Sequence, residues 1–428
     1  MSEVQLNTKK RGSSFQLWLR ALGSSALVAG VQIGPGTMSS TLFAGSGFGL
    51  NLLWLVALSG VWLAALTMMA GTVTVVTGKT TLQALDRHVF KGWGKVNGWV
   101  QVVCNIGAVI GVSVGMADAF KVFFPNLSTF LSTLILLVIS LFFMVLRGKY
   151  SFIKSMISVI VGAMVVLFVL NIFFVKINFF EALSGLVPTI PAGSLIAVTG
   201  IIGGSIGGLP MLFYPYQVKA AGFKKEDLPV MRWDNIMFLG VAFSLISVSV
   251  LLAGSALHAP GAAPVQNAIQ AANALAPIGG SAAKWLFSLG FFAVVWSTAV
   301  SPCFGTGYYV ADLLNFKTKG DEEKALIDGD IHSDTRFKIL SGLTMVSWLL
   351  GPLVAKVVAP FIVIMIAMGI LNLFTPFIIA SLFYISTSKK IMGKYAIGWF
   401  HRLTIAVGFA FSIVGVWSFI SFLKSTFF

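Results

Sequence analysis

The chain has 428 residues, of which 57% are hydrophobic and 10% charged, and its mean hydropathy is +0.92. That balance excludes a soluble globular protein. The net charge of +15 would suggest nucleic acid in a soluble chain, but here the basic residues gather in alternate loops between apolar runs. They belong to a lipid bilayer, and nucleic acid is excluded as a partner.

Eleven stretches of membrane-spanning length recur at about 17–45, 50–77, 96–123, 128–146, 151–175, 191–218, 234–257, 284–313, 336–357, 359–386 and 399–423. They predict one all-α polytopic membrane domain over 1–428. Lys9, Lys10 and Arg11 precede the first span; Lys79, Arg87, Lys91 and Lys95 follow the second; Arg147, Lys149 and Lys154 follow the fourth. Lys219, Lys224, Lys225 and Arg232 follow the sixth, Lys317, Lys319, Lys324, Arg336 and Lys338 the eighth, and Lys389, Lys390, Lys394 and Arg402 the tenth. The opposite loops carry almost none, so the N-terminus is expected in the cytoplasm and the C-terminus outside. No small-residue cleavage site follows the basic start, which argues against a cleaved signal peptide. Cys104 and Cys303 fall inside spans, as neither a disulfide framework nor a metal knuckle.

Span one contains Ile33-Gly34-Pro35-Gly36-Thr37-Met38-Ser39-Ser40-Thr41. Proline lacks the N–H and clashes with the preceding turn, and glycine weakens a helix, so this stretch breaks the span. Unpaired backbone at membrane depth survives only inside protein or beside a polar cavity, which makes the break a candidate binding site. Span six breaks again at Gly203-Gly204-Ser205-Ile206-Gly207-Gly208-Leu209-Pro210, ahead of Met211, Tyr214, Tyr216 and Gln217. Two interrupted spans, each heading its half, predict an inverted-repeat transporter with its solute near the midplane. Repeat one covers about 17–175, repeat two about 191–386, and 399–423 is an extra helix.

Other polar residues are few. Asp118 and Lys121 are expected to pair at the outer end of span three. Asp234 is expected to anchor span seven and Asp312 to close span eight. The acidic loop 317–338 is expected to be solvated. No nucleophile–base set suggests an enzyme, and no cofactor or metal-ligand cluster is expected.

The motifs then resemble those of the natural resistance-associated macrophage protein (NRAMP) family. Ile33 to Thr37, Ala44-Gly45-Ser46-Gly47-Phe48-Gly49 and Leu52-Leu53-Trp54 resemble the family's first span without a gap. Thr77-Gly78-Lys79, Val109-Ile110-Gly111, Leu209-Pro210, Ser297-Thr298 and Thr387 to Gly393 extend the likeness over about 20–395. The resemblance implies a LeuT-like fold: two inverted five-helix repeats plus an eleventh helix, with spans one and six broken. It also implies a bacterial plasma-membrane protein.

The family's ligands are replaced. Gly34 and Thr37 stand where its metal-binding aspartate and asparagine stand, and Leu209, Pro210 and Met211 replace its Met-Pro-His. The tenth-span position that assists metal binding falls on Phe374, with Asn372 nearby. Asn105 and Ala108 replace the acidic residues of its proton route. One carboxylate 4 Å from a divalent ion is worth roughly 8 kcal/mol at an effective dielectric near 20. Its absence, with a half-helix beginning near Met38 and several hydroxyls, suits a small anion or zwitterion. The expected solute contacts are Gly34, Gly36, Thr37, Ser39, Ser40, Thr41, Gly208, Leu209, Met211, Tyr214 and Asn372. Ser297, Thr298 and Ser301 are expected to hold a coupling sodium ion. A second reading keeps a divalent cation, held by Thr37, Met211 and backbone carbonyls; a third is a membrane sensor without transport.

Overall fold

A computed structural model of the chain describes residues 24–146, 166, 179–259, 261–318, 321–328 and 331–427. Span five, apart from residue 166, lies outside these residues, as do Lys9, Lys10, Arg11, Arg147, Lys149, Lys154 and Lys319. In span one, helix α1 (Ser24–Gln32) stops before Ile33 and Gly34, and α2 (Pro35–Phe48) restarts with proline in its first turn, where its missing N–H costs nothing. The second half-helix therefore begins three residues earlier than the expected Met38. Span two is α3 (Leu53–Thr77). A short helix on the basic-loop face, α4 (Thr81–His88), follows, closed by a capping box between Thr80 and Gln83. Spans three and four are α5 (Trp93–Lys121) and α6 (Thr129–Leu146).

The second half repeats the device. Span six is α7 (Leu195–Ile206) and α8 (Gly208–Ala221), parted at Gly207. Span seven runs from α9 (Leu228–Asn235) through a π-helical stretch, Ile236–Ala242, into α10 (Phe243–Ser255). Spans eight and nine are α11 (Ala268–Leu313) and α12 (Thr335–Val346), the latter continued by the turns Ser347–Leu350 and Gly351–Val354. Span ten is α13 (Pro360–Asn372) and α14 (Thr375–Thr387), and span eleven is α15 (Trp399–Phe427). Among the described residues, eight helical stretches are long and apolar enough to cross a membrane. Helix α2 packs against α7, α10 and α13, while α5 lies along α11 and α13, so both breaks face the interior.

Four further expectations change. Span ten is interrupted at Leu373 and Phe374, because Pro376 has no N–H to return to the Asn372 carbonyl. Span eight starts at Ala268, where Asn267 Oδ1 accepts the Gln270 N–H at 2.8 Å. Asp118 Oδ2 accepts the Ala268 N–H at this helix start, with Lys121 near enough to act on it as a charge. A buried carboxylate is better served by a free helix N-terminal N–H than by a lysine that can reach water. The loop 317–338 also folds. Strands β1 (Lys317–Thr318) and β2 (Asp321–Ala325) pair antiparallel, and Leu326, Ile327, Ile331 and His332 are buried, with His332 Nε2 2.9 Å from Tyr308 Oη. The apolar residues set among its acids supply the reason.

Candidate functional site

Where the two breaks meet lies a small cavity of about 20 Å³, room for one water-sized sphere. Span one contributes Gln32, Gly34, Gly36 and Thr37; span six contributes Gly203, Gly204 and Leu209. Ala108, Val109 and Val112 of α5, Thr298 and Pro302 of α11, and Met368 and Leu371 of α13 complete the wall. None of these is charged. Glycine is required for the close crossing. A Cβ on Gly204 would stand 3.0 Å from Thr37 N, and one on Gly36 would overlap the Met368 sulfur.

The side-chain hydroxyl and amide protons at the cavity are already committed. Thr37 Oγ1 donates to the Gln32 carbonyl at 2.8 Å, with Gly204 O at 3.1 Å. Thr298 Oγ1 donates to Gly30 O at 3.1 Å. Gln32 Nε2 donates to Gly204 O and Ser205 O at 3.0 and 3.1 Å. Two carbonyl partners require that the amide nitrogen face them, which leaves Oε1 on the other side. What these groups offer a guest is oxygen lone pairs, together with one thioether.

The expected contacts divide accordingly. Gly34, Gly36, Thr37 and Leu209 line the cavity; Ser39, Ser40, Thr41, Gly208, Met211, Tyr214 and Asn372 do not. Ser40 Oγ donates back to Gly36 O, and Thr41 Oγ1 to Thr37 O at 2.8 Å, the usual fate of hydroxyls within a helix. Ser39 Oγ is buried without a partner among the described residues. The Met211 carbonyl accepts from Thr81 Oγ1 at 2.8 Å. Tyr214 Oη accepts from Ser25 Oγ at 3.3 Å, and Tyr216 Oη donates to Asp312 at 2.8 Å. Asn372 Nδ2 turns to Ser412 O on α15, 3.0 Å away. Of the trio proposed for sodium, Thr298 alone reaches the wall. Ser297 Oγ donates to Val294 O and Ser301 Oγ to Ser297 O. Ala108 lines the cavity, whereas Asn105, one turn away, donates from Nδ2 to Pro302 O and Thr306 Oγ1, both at 2.7 Å.

Sequence reasoning missed Gln32 and Met368. Gln32 was legible as an isolated amide in an apolar run beside a helix break. Met368 was not, since nothing in the run Ile364-Met365-Ile366-Ala367-Met368 separates it from Met365.

The family model "Natural resistance-associated macrophage protein-like" matches residues 25–421. The chain belongs to the Nramp family. Among Nramp relatives, the divalent metal cation transporter MntH of Brucella suis biovar 1 is 24% identical over 92% of this chain and 87% of its own length. That of Klebsiella pneumoniae (strain 342) is 25% identical over 70% of this chain and 74% of its own. The manganese transporter of Eremococcus coleocola, solved with an aromatic bis-isothiourea compound, superposes with a TM-score of 0.71 at 18% identity, covering 99% of this chain and 91% of that one. Mhp1, a nucleobase-cation-symport-1 family transporter, superposes at 0.55 and 13% identity over 95% and 93%. The Nramp chain thus has the LeuT-like fold; it is a membrane transporter and not an enzyme.

Proposed function

We propose that this protein carries a divalent metal cation across the membrane by alternating access, through a site of neutral donors. The carrying observation is that the cavity's side-chain hydroxyl and amide protons are given to backbone carbonyls, so side-chain lone pairs remain for a guest. A cation accepts lone pairs; an anion needs the protons. The N-terminus of α2, expected to hold an anion, is poorly suited to it. Pro35 has no N–H and the Met38 N–H returns to Gly34 O at 2.9 Å, so two of the first four positions offer an anion nothing. The small cavity also favours a dehydrated ion over an oxyanion or carboxylate. Relatives named as divalent metal cation transporters support the same reading.

In this reading Gln32 Oε1, Thr37 Oγ1 and Thr298 Oγ1 are hard ligands and Met368 Sδ a soft one. Met368 takes over from span ten the sulfur that Leu209 no longer supplies from span six. Roughly 8 kcal/mol of gross carboxylate attraction is missing, so binding is weak and release fast. Repeat one, about 17–175, rocks against repeat two, about 191–386, beside the helix at 399–423. The basic-loop face is cytoplasmic, with the N-terminus there and the C-terminus outside. On that face the Ser25 N–H meets Asp234 Oδ2 at 3.1 Å, a tether that must open for inward release.

Purified protein in proteoliposomes should take up Mn²⁺ or Cd²⁺ saturably and leave phosphate and short carboxylates outside. Saturable uptake of an oxyanion with no cation uptake would overturn the assignment. Met368→Leu should weaken Cd²⁺ uptake while leaving the fold intact.

A further inference from the structure

Three amides mark one face of α5 between the cavity and the basic-loop face. Asn97, Gln101 and Asn105 are four residues apart and share a sector of about 80° with the cavity-lining Ala108 and Val112. All three are at most 1% exposed. Each holds a buried polar atom with no hydrogen bond among the described residues: Asn97 Oδ1, Gln101 Nε2 and Asn105 Oδ1. Gln101 shows it most plainly. Its Oε1 lies against Gly208 at the start of α8, 2.8 Å from where a Cβ would stand, so the amide reaches into the second break.

An unpaired buried polar atom costs about 1–3 kcal/mol, and native proteins keep such groups where water or an ion completes them. Asn97 and Asn105 spend Nδ2 on Trp93 O and on Pro302 O and Thr306 Oγ1 and leave only Oδ1 open; packing does not explain Gln101, because an apolar side chain there would remove the cost. The row spans about 16 Å from Asn97 to Ala108.

We propose that this row of amides is the cytoplasmic half of the cargo's path: a hydrated, uncharged passage that rehydrates the cation as it leaves the cavity. It rests on the reading of the cavity as a cation site. Amide oxygens can face a hydrated cation and amide nitrogens can hold the oxygens of its water. The row itself carries no carboxylate; its Asn97 end lies within a turn of Gly94 and Lys95, which line a wider pocket with Asp86 and Asp312.

Cysteine accessibility tests this directly. In a Cys104→Ala, Cys303→Ala background, Asn97→Cys and Gln101→Cys should react with a small hydrophilic methanethiosulfonate added from the cytoplasmic side. The buried off-row control Val102→Cys should not. Gln101→Cys reacting as slowly as Val102→Cys would overturn the passage. A second variant, Gln101→Leu, removes the unpaired amide. It should unfold at the same or a higher temperature yet transport at least tenfold more slowly. Full-rate transport by a folded Gln101→Leu protein would also overturn it. Should Gln101→Cys be labelled while the parent moves no metal cation, the cargo assignment fails and the passage stands.

Discussion

Placing a carboxylate at Gly34 is the sharpest test of how α11 closes this site. A Cβ there would overlap Thr298 Cγ2 and Oγ1 and stand 2.8 Å from Thr298 Cβ, so α11 now occupies the room an aspartate needs. Gly34→Asp alone therefore meets an overpacking cost of about 1–3 kcal/mol. Thr298→Ala removes the two nearest atoms and leaves one close contact, 2.8 Å to Cβ of residue 298, in place of three. The gross attraction of a carboxylate 4 Å from a divalent ion is roughly 8 kcal/mol at an effective dielectric near 20. Burying that carboxylate with no positive partner takes back several kcal/mol. The double variant should still bind Mn²⁺ at least tenfold more tightly than the parent, about 1.4 kcal/mol, by calorimetry in detergent. Gly34→Asp alone should gain less and unfold at a lower temperature. Equal Mn²⁺ affinity for single and double variants would refute the reasoning, since Thr298 would then not be the obstacle.

Met368→Leu conserves volume against Gly36 and Gly203, so thermal unfolding should move by less than about 1.5 kcal/mol. Its Cd²⁺ affinity should fall about tenfold while Mg²⁺ binding stays unchanged, because only the soft ion loses a preferred ligand. Asp234→Asn weakens the charge at the start of α1, an interaction of about 0.3–2 kcal/mol, and should speed cytoplasmic labelling of a cysteine placed in the cavity. Asp334 caps α12 and its carboxyl is held below the usual range chiefly by its hydrogen bond from Arg336. Its contribution is present above the unfolded carboxyl's pKa and lost as pH falls through the lower folded value. Asp334→Ala should thus cost about 1 kcal/mol near neutral pH and nothing in strong acid, measured by thermal melts. With Asn105 and Ala108 neutral, metal uptake in pH-clamped vesicles should show little stoichiometric proton movement; a fixed proton-to-metal ratio would contradict it.

Much of the architecture was legible because it depends on local chemistry. Apolar length set the spans, proline and glycine set the breaks in spans one and six, and the basic loops marked one face. The interruption in span ten was legible too, at Pro376, but a lone proline between apolar runs reads equally well as a kink. The loop 317–338 misled because its acids outnumber its apolar residues in sequence, whereas burial depends on where Ile327 and Ile331 land. The character of the site was lost for the same reason. Sequence showed hydroxyls without carboxylates, and a free hydroxyl can donate or accept. Only packing determined that Thr37 and Thr298 spend their protons on Gln32, Gly204 and Gly30 carbonyls, and that Met368 rather than Met211 brings its sulfur to the cavity. The residue types at the two breaks determined that the pocket would be uncharged; the direction of its hydrogen bonds depended on which carbonyls the fold brought within 3 Å or so of each donor.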